Sequence, residues 1–163
     1  MPVLPRSAEA LNVRSMTERD LRQVLHIERR SFTIPWSAAT FRGLLRRQSA
    51  SLIVGEWREM ILAYAVLWYA ADEAELGDMA VLPEARGSGL GAWMLEKALG
   101  EARSRGAKRV FLEVRESNDV ARRLYERAGF DTTGRRANYY SEPVEDAILM
   151  TRSLSSKEAG PAR

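Results

Sequence analysis

The chain has 163 residues, close to one domain in size, and its composition of 45% hydrophobic and 29% charged residues is that of a globular protein. The absence of cysteine excludes a disulfide scaffold, a thiolate metal site, an iron–sulfur cluster and a cysteine nucleophile, and a single histidine excludes a histidine-rich metal site. The net charge of +3 comes from interspersed acids and bases, so we expect no nucleic-acid partner.

We predict one domain over residues 11–153, with loose tails at 1–10 and 154–163 that lack hydrophobic periodicity. The longest apolar run, Ile61–Ala71, has 11 residues. A membrane-spanning helix needs about 20, so this run is predicted to be a buried strand and no membrane partner is expected. The N-terminal residues contain no apolar segment of the kind found in secretory signals, which predicts a cytoplasmic protein.

The first half of the chain predicts a strand, two helices and three further strands. The first strand covers residues 11–14, and a helix capped by Thr17 follows it and ends before Phe32. Ser37 caps a second helix that runs to about Arg47. Between the helices lies an extended loop, because the residue before Pro35 avoids the helical region. The three strands are predicted at residues 50–56, 61–70 and 75–82.

The second half predicts two helices, one strand and a final hairpin. A glycine-rich loop leads into a long helix whose apolar residues recur at spacings of three and four from Leu90 to Ala102. A strand over residues 109–114 comes next, followed by a helix capped by Ser117 or Asn118, with Val120, Leu124 and Ala128 on its packed face. Residues 130–140 and 144–154 form the hairpin. The alternation of elements predicts a mixed α/β fold.

The glycine loop Gly87-Ser88-Gly89-Leu90-Gly91-Ala92 formally matches the dinucleotide fingerprint, and Glu113 stands about 20 residues later, where a ribose-binding acid belongs. Against a dinucleotide site, Pro83 to Arg86 separate the preceding strand from the glycines, and few βα units follow. Backbone amides at a helix N-terminus bind phosphate in either case, so a pyrophosphate-bearing cofactor is expected. The alternative is a glycine-rich helix start without a ligand.

Several motifs, in order along the chain, resemble those of the GCN5-related N-acetyltransferase superfamily, and within it the bacterial ribosomal-protein-alanine N-acetyltransferases. Arg86-x-x-Gly89-x-Gly91, after the strand Met79-Ala80-Val81, resembles the acetyl-coenzyme A motif. The other motifs are Ser31-Phe32 with Pro35-Trp36-Ser37, Leu112-Glu113-Val114-Arg115 with Ser117-Asn118, Leu124-Tyr125-Glu126 with Gly129-Phe130, and Arg135-Arg136 with Asn138-Tyr139-Tyr140. The resemblance implies a mixed central sheet flanked by helices, with a splayed strand pair at the acetyl-coenzyme A site and no metal.

The activity implied by this resemblance is acetyl transfer to the α-amine of a protein, with the N-terminal alanine of ribosomal protein S18 as the expected substrate. Such a transfer needs a base, an acid and donors for a developing oxyanion. The resemblance assigns Glu113 as the base, whose alternative is a strand-end ion pair with Arg115. It assigns Tyr125 as the acid, whose alternative is a half-buried aromatic on an amphipathic helix.

Two sets of binding residues also follow from the resemblance. The expected cofactor-binding residues are Met79, Ala80, Val81, Arg86, Gly87, Ser88, Gly89, Leu90, Gly91, Ala92 and Asn118. The expected substrate-binding residues are Phe32, Pro35, Trp36, Arg136, Tyr139 and Tyr140, all of which could equally be plain packing residues.

An acidic run accompanies these residues: Asp72, Glu73, Glu75 and Asp78. Such a run is usually solvated, and near an amine site it could also attract a basic peptide. The competing functions are a broader N-terminal or small-molecule amine acetyltransferase, a non-catalytic module of the same fold, and a nicotinamide-dependent enzyme. The oligomeric state stays open.

Overall fold

The structure is a computed structural model, and it describes residues 3–5 and 7–154. Within these residues, seven strands form one sheet in the order β1-β2-β3-β4-β5-β7-β6, in which only the β4–β5 pair is parallel. The strands are β1 (Asn12–Ser15), β2 (Ala50–Trp57), β3 (Met60–Ala70), β4 (Glu73–Val81), β5 (Arg109–Arg115), β6 (Asp131–Tyr140) and β7 (Glu145–Ser153). The helices are α1 (Leu21–Ser31), α2 (Ala38–Leu45), α3 (Leu90–Ser104) and α4 (Asp119–Arg127).

Helices cover both faces of the sheet. One core cluster joins α3 to the sheet through Met94, Leu95 and Leu99, and α4 packs against it. The other joins α1 and α2 to the opposite face through residues such as Ile27 and Phe41. The predicted mixed α/β fold with flanking helices is thereby confirmed. Within the described residues, none of the helices is long and apolar enough to cross a membrane.

The expected helix caps form, with one difference on α4. Thr17 caps a 3-10 turn, Glu18–Asp20, that leads into α1, and the Ser37 hydroxyl accepts the Thr40 N–H at the start of α2. Of the two candidate caps for α4, Asn118 is the one at the N-cap position. The prediction that Val120 packs inward was wrong, because this side chain is 79% exposed.

The described residues include parts of both segments that were predicted to be tails. Residues Ala8–Ala10 form a 3-10 turn capped by the Ser7 hydroxyl, and Leu4 packs against the core on the α1 side. Leu154 is buried, and its N–H donates to the Lys108 carbonyl at 2.8 Å. Residues 155–163 of the predicted C-terminal tail lie outside the described part of the chain.

Strands β4 and β5 are paired only where they begin. The ladder joins Glu73–Glu75 to Arg109–Phe111 and then stops, although β4 continues to Val81 and β5 continues to Arg115. Beyond that point β5 stays paired with β7, while β4 stays paired with β3. The two strands consequently diverge, which confirms the expected splayed pair and leaves one edge of residues 76–81 without a strand partner.

A β-bulge at Gly77 changes which residues of β4 face which helices. Leu67 of β3 pairs with Leu76, but the next residue back, Val66, pairs with Asp78, so Gly77 is the extra residue. Before the bulge Leu76 belongs to the core under α3, whereas after it Ala80 belongs to the core under α1. The bulge therefore turns Asp78 towards α1.

Candidate active site

The gap between β4 and β5 opens into a cleft of about 380 Å³ that passes between the two helical layers. Its walls come from α1, the loop after α1, β4, β5, α4 and the end of β6. The lining residues discussed below are Glu28, Phe32, Trp36, Asp78, Met79, Glu113, Arg115, Asn118, Tyr125 and Tyr140.

Glu113 places a largely buried carboxylate in this cleft. Its neighbours Leu112 and Val114 belong to the core under α3, so strand alternation directs Glu113 to the opposite face. The side chain is 11% exposed, and its Oε2 accepts no hydrogen bond from the described residues, although Arg136 Nε lies 3.3 Å away. Burial raises the pKa of Glu113; the charge of Arg136 opposes this shift, and that of Glu75 reinforces it.

The predicted alternative partner of Glu113 was wrong. The Arg115 guanidinium turns away from it and bonds Glu145 at 3.3 Å and the carbonyls of Ser141 and Pro143. Glu113 is instead paired with Arg136, which reaches it from β6 across β7. The carboxylate is thus held by one cation at its rim and is otherwise available to a ligand.

Tyr125 lines the same cleft from α4. Its ring packs edge-on against Phe130, with the centroids 5.8 Å apart. Burial raises the pKa of the Tyr125 phenol above its ordinary value of 10, and the nearby Asp78 and Tyr140 act in the same direction. The hydroxyl therefore stays protonated at neutral pH and is equipped to donate a proton.

The free edge of β4 presents backbone groups to the gap. The Leu82 N–H donates to Leu62 on β3 at 2.7 Å, and alternate residues of a strand point their backbone groups to opposite sides. Met79 and Val81 therefore direct their backbone N–H and C=O groups towards the gap between β4 and β5. Arg86 confirms this direction at one end, because its Nε donates to the Val81 carbonyl at 3.1 Å.

Arg86 and Asn118, which were expected to bind the cofactor, also form hydrogen bonds within the protein. A second nitrogen of Arg86 donates to Ser31 Oγ at 2.9 Å, which ties the end of β4 to α1. Asn118 Oδ1 caps α4 by accepting the Ala121 N–H at 3.2 Å. Because this cap uses only the oxygen, the amide nitrogen of Asn118 keeps its donors for a ligand in the cleft.

The glycine loop leaves the N-terminus of α3 accessible. Gly87 and Gly89 have φ of +84° and +81°, a region that other residues rarely adopt. Gly89 is the N-cap, and no side chain caps the helix, since the Ser88 hydroxyl donates instead to the Ala85 carbonyl at 2.6 Å. The amides of Leu90, Gly91 and Ala92 at this terminus suit a phosphate group.

A dinucleotide site does not fit this geometry. A 3-10 turn, Pro83–Ala85, separates β4 from the glycines, whereas the dinucleotide turn follows its strand directly. The strand order, with a single parallel pair, is also not that of a doubly wound sheet.

Three of the six expected substrate-binding residues line the cleft: Phe32, Trp36 and Tyr140. Arg136 contacts Glu113, and its guanidinium lies over the ring of Tyr139, 5.7 Å from the centroid. The exposed Pro35 does not line the cleft, so its position is that of a loop residue beside the wall.

Sequence reasoning did not identify Glu28 as a cleft residue and did not place Asp78 in the cleft. It also missed Tyr64, whose hydroxyl lies beneath them. Glu28 is 1% exposed. The sequence could have indicated this burial, because Glu28 continues the helical spacing of Leu21, Val24 and Leu25 on the apolar face of α1. Asp78 was grouped with a solvated acidic run, yet it is 8% exposed. Among the described residues there is no group of three acids or histidines arranged to hold a metal ion.

Comparison with known proteins identifies relatives of this fold and site. The Acetyltransferase (GNAT) family matches residues 21–130. The [ribosomal protein bS18]-alanine N-acetyltransferase of Escherichia coli strain K12 is 36% identical over 145 residues, which cover 88% of this chain and 97% of that protein. The crystal structure of the ribosomal-protein-S18-alanine N-acetyltransferase from Escherichia coli superposes with a TM-score of 0.82 at 35% identity, covering 89% of this chain and 94% of that one. Ard1 from Thermoplasma volcanium gives 0.83 at 29% identity, with 90% and 99% covered.

Proposed function

Because this chain belongs to the Acetyltransferase (GNAT) family, we propose that it acetylates the α-amine of a protein N-terminus with acetyl-coenzyme A as the acetyl donor. The proposed substrate is the N-terminal alanine of ribosomal protein S18, supported by relatives that carry this activity in their names. The observation that carries the proposal is Glu113 in the opening between the splayed strands β4 and β5. A ribosomal substrate places the reaction in the cytoplasm.

The residues on the α3 side fit acetyl-coenzyme A. Its pyrophosphate suits the uncapped amides of the helix that starts at Leu90, and its pantetheine arm can add to the free edge of Met79–Val81 as an extra strand would. Asn118 offers donors from the far wall of the cleft. When bound, the thioester supplies the activated acetyl group.

Glu113 and Tyr125 supply the two proton transfers that the reaction needs. A peptide α-amine has a pKa of about 8, so it arrives largely protonated and must lose a proton before it can act as a nucleophile. Glu113 receives that proton, and its raised pKa brings it closer to the working pH. Tyr125 donates a proton to the departing sulfur, and a backbone N–H at the edge of β4 polarises the carbonyl. Transfer is direct, since no cysteine is present to carry the acetyl group.

The walls on the other side suit a peptide. Phe32 is 39% exposed at the mouth of the cleft, with Trp36 and Tyr140 further along its walls. Arg136 and Tyr139 flank the mouth beside Glu113, and Pro35 stiffens the loop that carries Phe32 and Trp36. An open, aromatic-lined groove of this kind accommodates an extended chain end better than a small amine.

A peptide panel tests this function. Purified enzyme and acetyl-coenzyme A are incubated with the S18 N-terminal peptide, other peptides beginning with Ala, Ser or Met, a lysine peptide with a blocked N-terminus, and a polyamine. Mass spectrometry locates the acetyl group. We expect acetylation of the S18 peptide at its α-amine. Equal acetylation of many N-termini would replace the narrow specificity with a broad one, and acetylation of only lysine or polyamine would refute the α-amine assignment.

A further inference from the structure

Two buried carboxyl groups meet on the α1 side of the cleft. Glu28 is 1% exposed and is held on both oxygens, because the Tyr64 hydroxyl donates to Oε1 and the Trp36 backbone N–H donates to Oε2 at 2.9 Å. Tyr64 is itself fully buried. Glu28 is therefore a fixed acid in the wall of the cleft, with both oxygens already engaged by the protein.

Asp78 is not satisfied in this way. It is 8% exposed and lines the cleft, yet its buried Oδ2 accepts no hydrogen bond from any donor in the described residues. Its carboxyl group contacts that of Glu28. Burial, followed by this contact, raises the pKa of Asp78 well above its ordinary value, and the adjacent Met79 backbone N–H opposes the shift. Burial beside a second carboxyl group therefore favours the protonated form of Asp78.

An unsatisfied buried acceptor destabilises a fold, so such a group inside a cleft is a candidate for a ligand that brings its own donors. The ligand has to be small, cationic and rich in N–H groups, because it must replace the proton on an acid that lies beside a second acid. A primary ammonium has these properties. The position also fits, since Asp78 directly precedes Met79, whose backbone faces the gap between β4 and β5.

We propose that Asp78 binds the α-amino group of the incoming peptide through its unpaired Oδ2, with Glu28 and Tyr64 as the positioning residues. This inference rests on the proposed function and deepens it. The incoming ammonium takes the place of the proton on Asp78, and that proton leaves to solvent. The amine later loses its own proton to Glu113. A peptide with an acetylated N-terminus offers no cation and is excluded.

Kinetics of Asp78→Asn test the contact. The amide keeps the shape of the side chain but removes the charge, and its N–H group can satisfy Glu28, so the fold is expected to be at least as stable. We expect the KM for the S18 peptide to rise about 10-fold or more, with kcat and the KM for acetyl-coenzyme A changing less than about 3-fold. Glu73→Gln is the matched control, because Glu73 is an acid on the same strand that pairs with Arg109 at 2.9 Å instead of lining the cleft.

Glu28→Gln is the second variant. Its amide group would donate to Asp78 and occupy the oxygen that the peptide needs, so it should raise the peptide KM as Asp78→Asn does. If Asp78→Asn fails to fold, this variant carries the test. A change in kcat alone would overturn the contact in favour of a structural role. An equal rise in KM for Glu73→Gln would overturn it in favour of diffuse attraction.

Proton release gives a readout that a structural role would not produce. The S18 peptide is titrated calorimetrically into enzyme with coenzyme A at pH 7, in two buffers of different ionisation enthalpy. The titratable and charged groups around Asp78 and across the cleft are Glu28, Tyr64, Glu113, Arg115, Tyr125 and Tyr140. Wild-type binding should release close to one proton, and Asp78→Asn should release markedly less.

The two proposals fail in different ways. If the wild-type enzyme acetylates the peptide but Asp78→Asn and Glu28→Gln leave the peptide KM unchanged, the amine contact alone is overturned. Binding of acetyl-coenzyme A without acetylation of any peptide overturns the proposed function, and the amine contact with it.

Discussion

Replacing Gly77 with alanine is expected to destabilise the protein and to disturb the substrate side of the cleft. A Cβ at this position would lie 2.1 Å from Trp68 Cη2 and 2.3 Å from Cζ3. Carbon atoms pack at about 3.5–4.0 Å, so the indole would have to move by more than an ångström. Trp68 is not free to do so, because it stacks on Trp36 with centroids 6.0 Å apart and donates to Glu75 at 2.9 Å.

The magnitude follows from these contacts. Overpacking of this kind costs about 1–3 kcal/mol, and loss of the indole hydrogen bond adds about 1 kcal/mol. The expected loss in the free energy of unfolding is therefore about 2–4 kcal/mol, or roughly 5–15 °C in Tm for a chain of this size. Because the bulge at Gly77 directs Asp78 towards α1, the peptide KM should also rise.

Thermal unfolding followed by circular dichroism measures the effect, with Gly100→Ala as the control. Gly100 lies within α3, and an added Cβ there meets nothing within 4 Å. The same chemical change should therefore raise stability there by about 0.5–1 kcal/mol. The double variant with Trp68→Ala should recover part of the loss at Gly77, because the clashing ring is gone. A Tm for Gly77→Ala within 2 °C of wild type would refute the packing argument.

Three further predictions concern the catalytic and structural acids. Glu113→Gln should lower kcat about 100-fold or more while acetyl-coenzyme A still binds, and near wild-type turnover from pH 6 to 9 would remove Glu113 from the base role. Tyr125→Phe should lower kcat about 10-fold or more, with Tm within 2 °C because the ring still packs on Phe130; an unchanged kcat would point to another acid. Asp20→Asn should cost about 1–2 kcal/mol at pH 7 in urea unfolding, since Asp20 accepts two hydrogen bonds from the partly exposed Arg14, both at 2.8 Å, that hold its pKa below the ordinary value. That stability is present above the ordinary pKa of about 4 and is lost as the pH falls, so a cost that persists undiminished at pH 2 would contradict the assignment.

The pKa of Glu113 is shifted in the opposite direction, and its effect on stability has the opposite sign. A carboxyl group whose pKa is raised on folding disfavours the folded state once the pH exceeds its unfolded value. The difference obtained by subtracting the Tm of wild type from the Tm of Glu113→Gln should therefore become more positive as the pH rises from 5 to 8. Ordinary salt screening would not produce this trend.

The sequence alone determined the order and type of the elements and the motifs that resemble one family. These features are local, because caps such as Ser37, the apolar period of α3 and the glycines before Leu90 act on neighbouring residues. Local rules therefore predicted where backbone amides would be left without a partner, and they placed Glu113 at the end of a strand.

Only the tertiary structure decided what those residues face. The pairing of Glu113 with Arg136 depends on strands β5, β7 and β6 lying side by side, which no local pattern specifies. The divergence of β4 from β5 is likewise a matter of long-range pairing, since both segments are ordinary strands in the sequence.

The acidic run shows the same limit most clearly. Glu73 pairs with Arg109, Glu75 bonds an indole, and Asp78 is buried in the cleft. Strand alternation would have put neighbouring odd and even residues on fixed faces, but the extra residue at Gly77 reverses the faces beyond it. Without the extra residue Asp78 would face α3, whereas with it Asp78 lies on the same face of the sheet as Glu73 and Glu75, towards α1. The packing of Trp68 against Gly77 holds the extra residue in place.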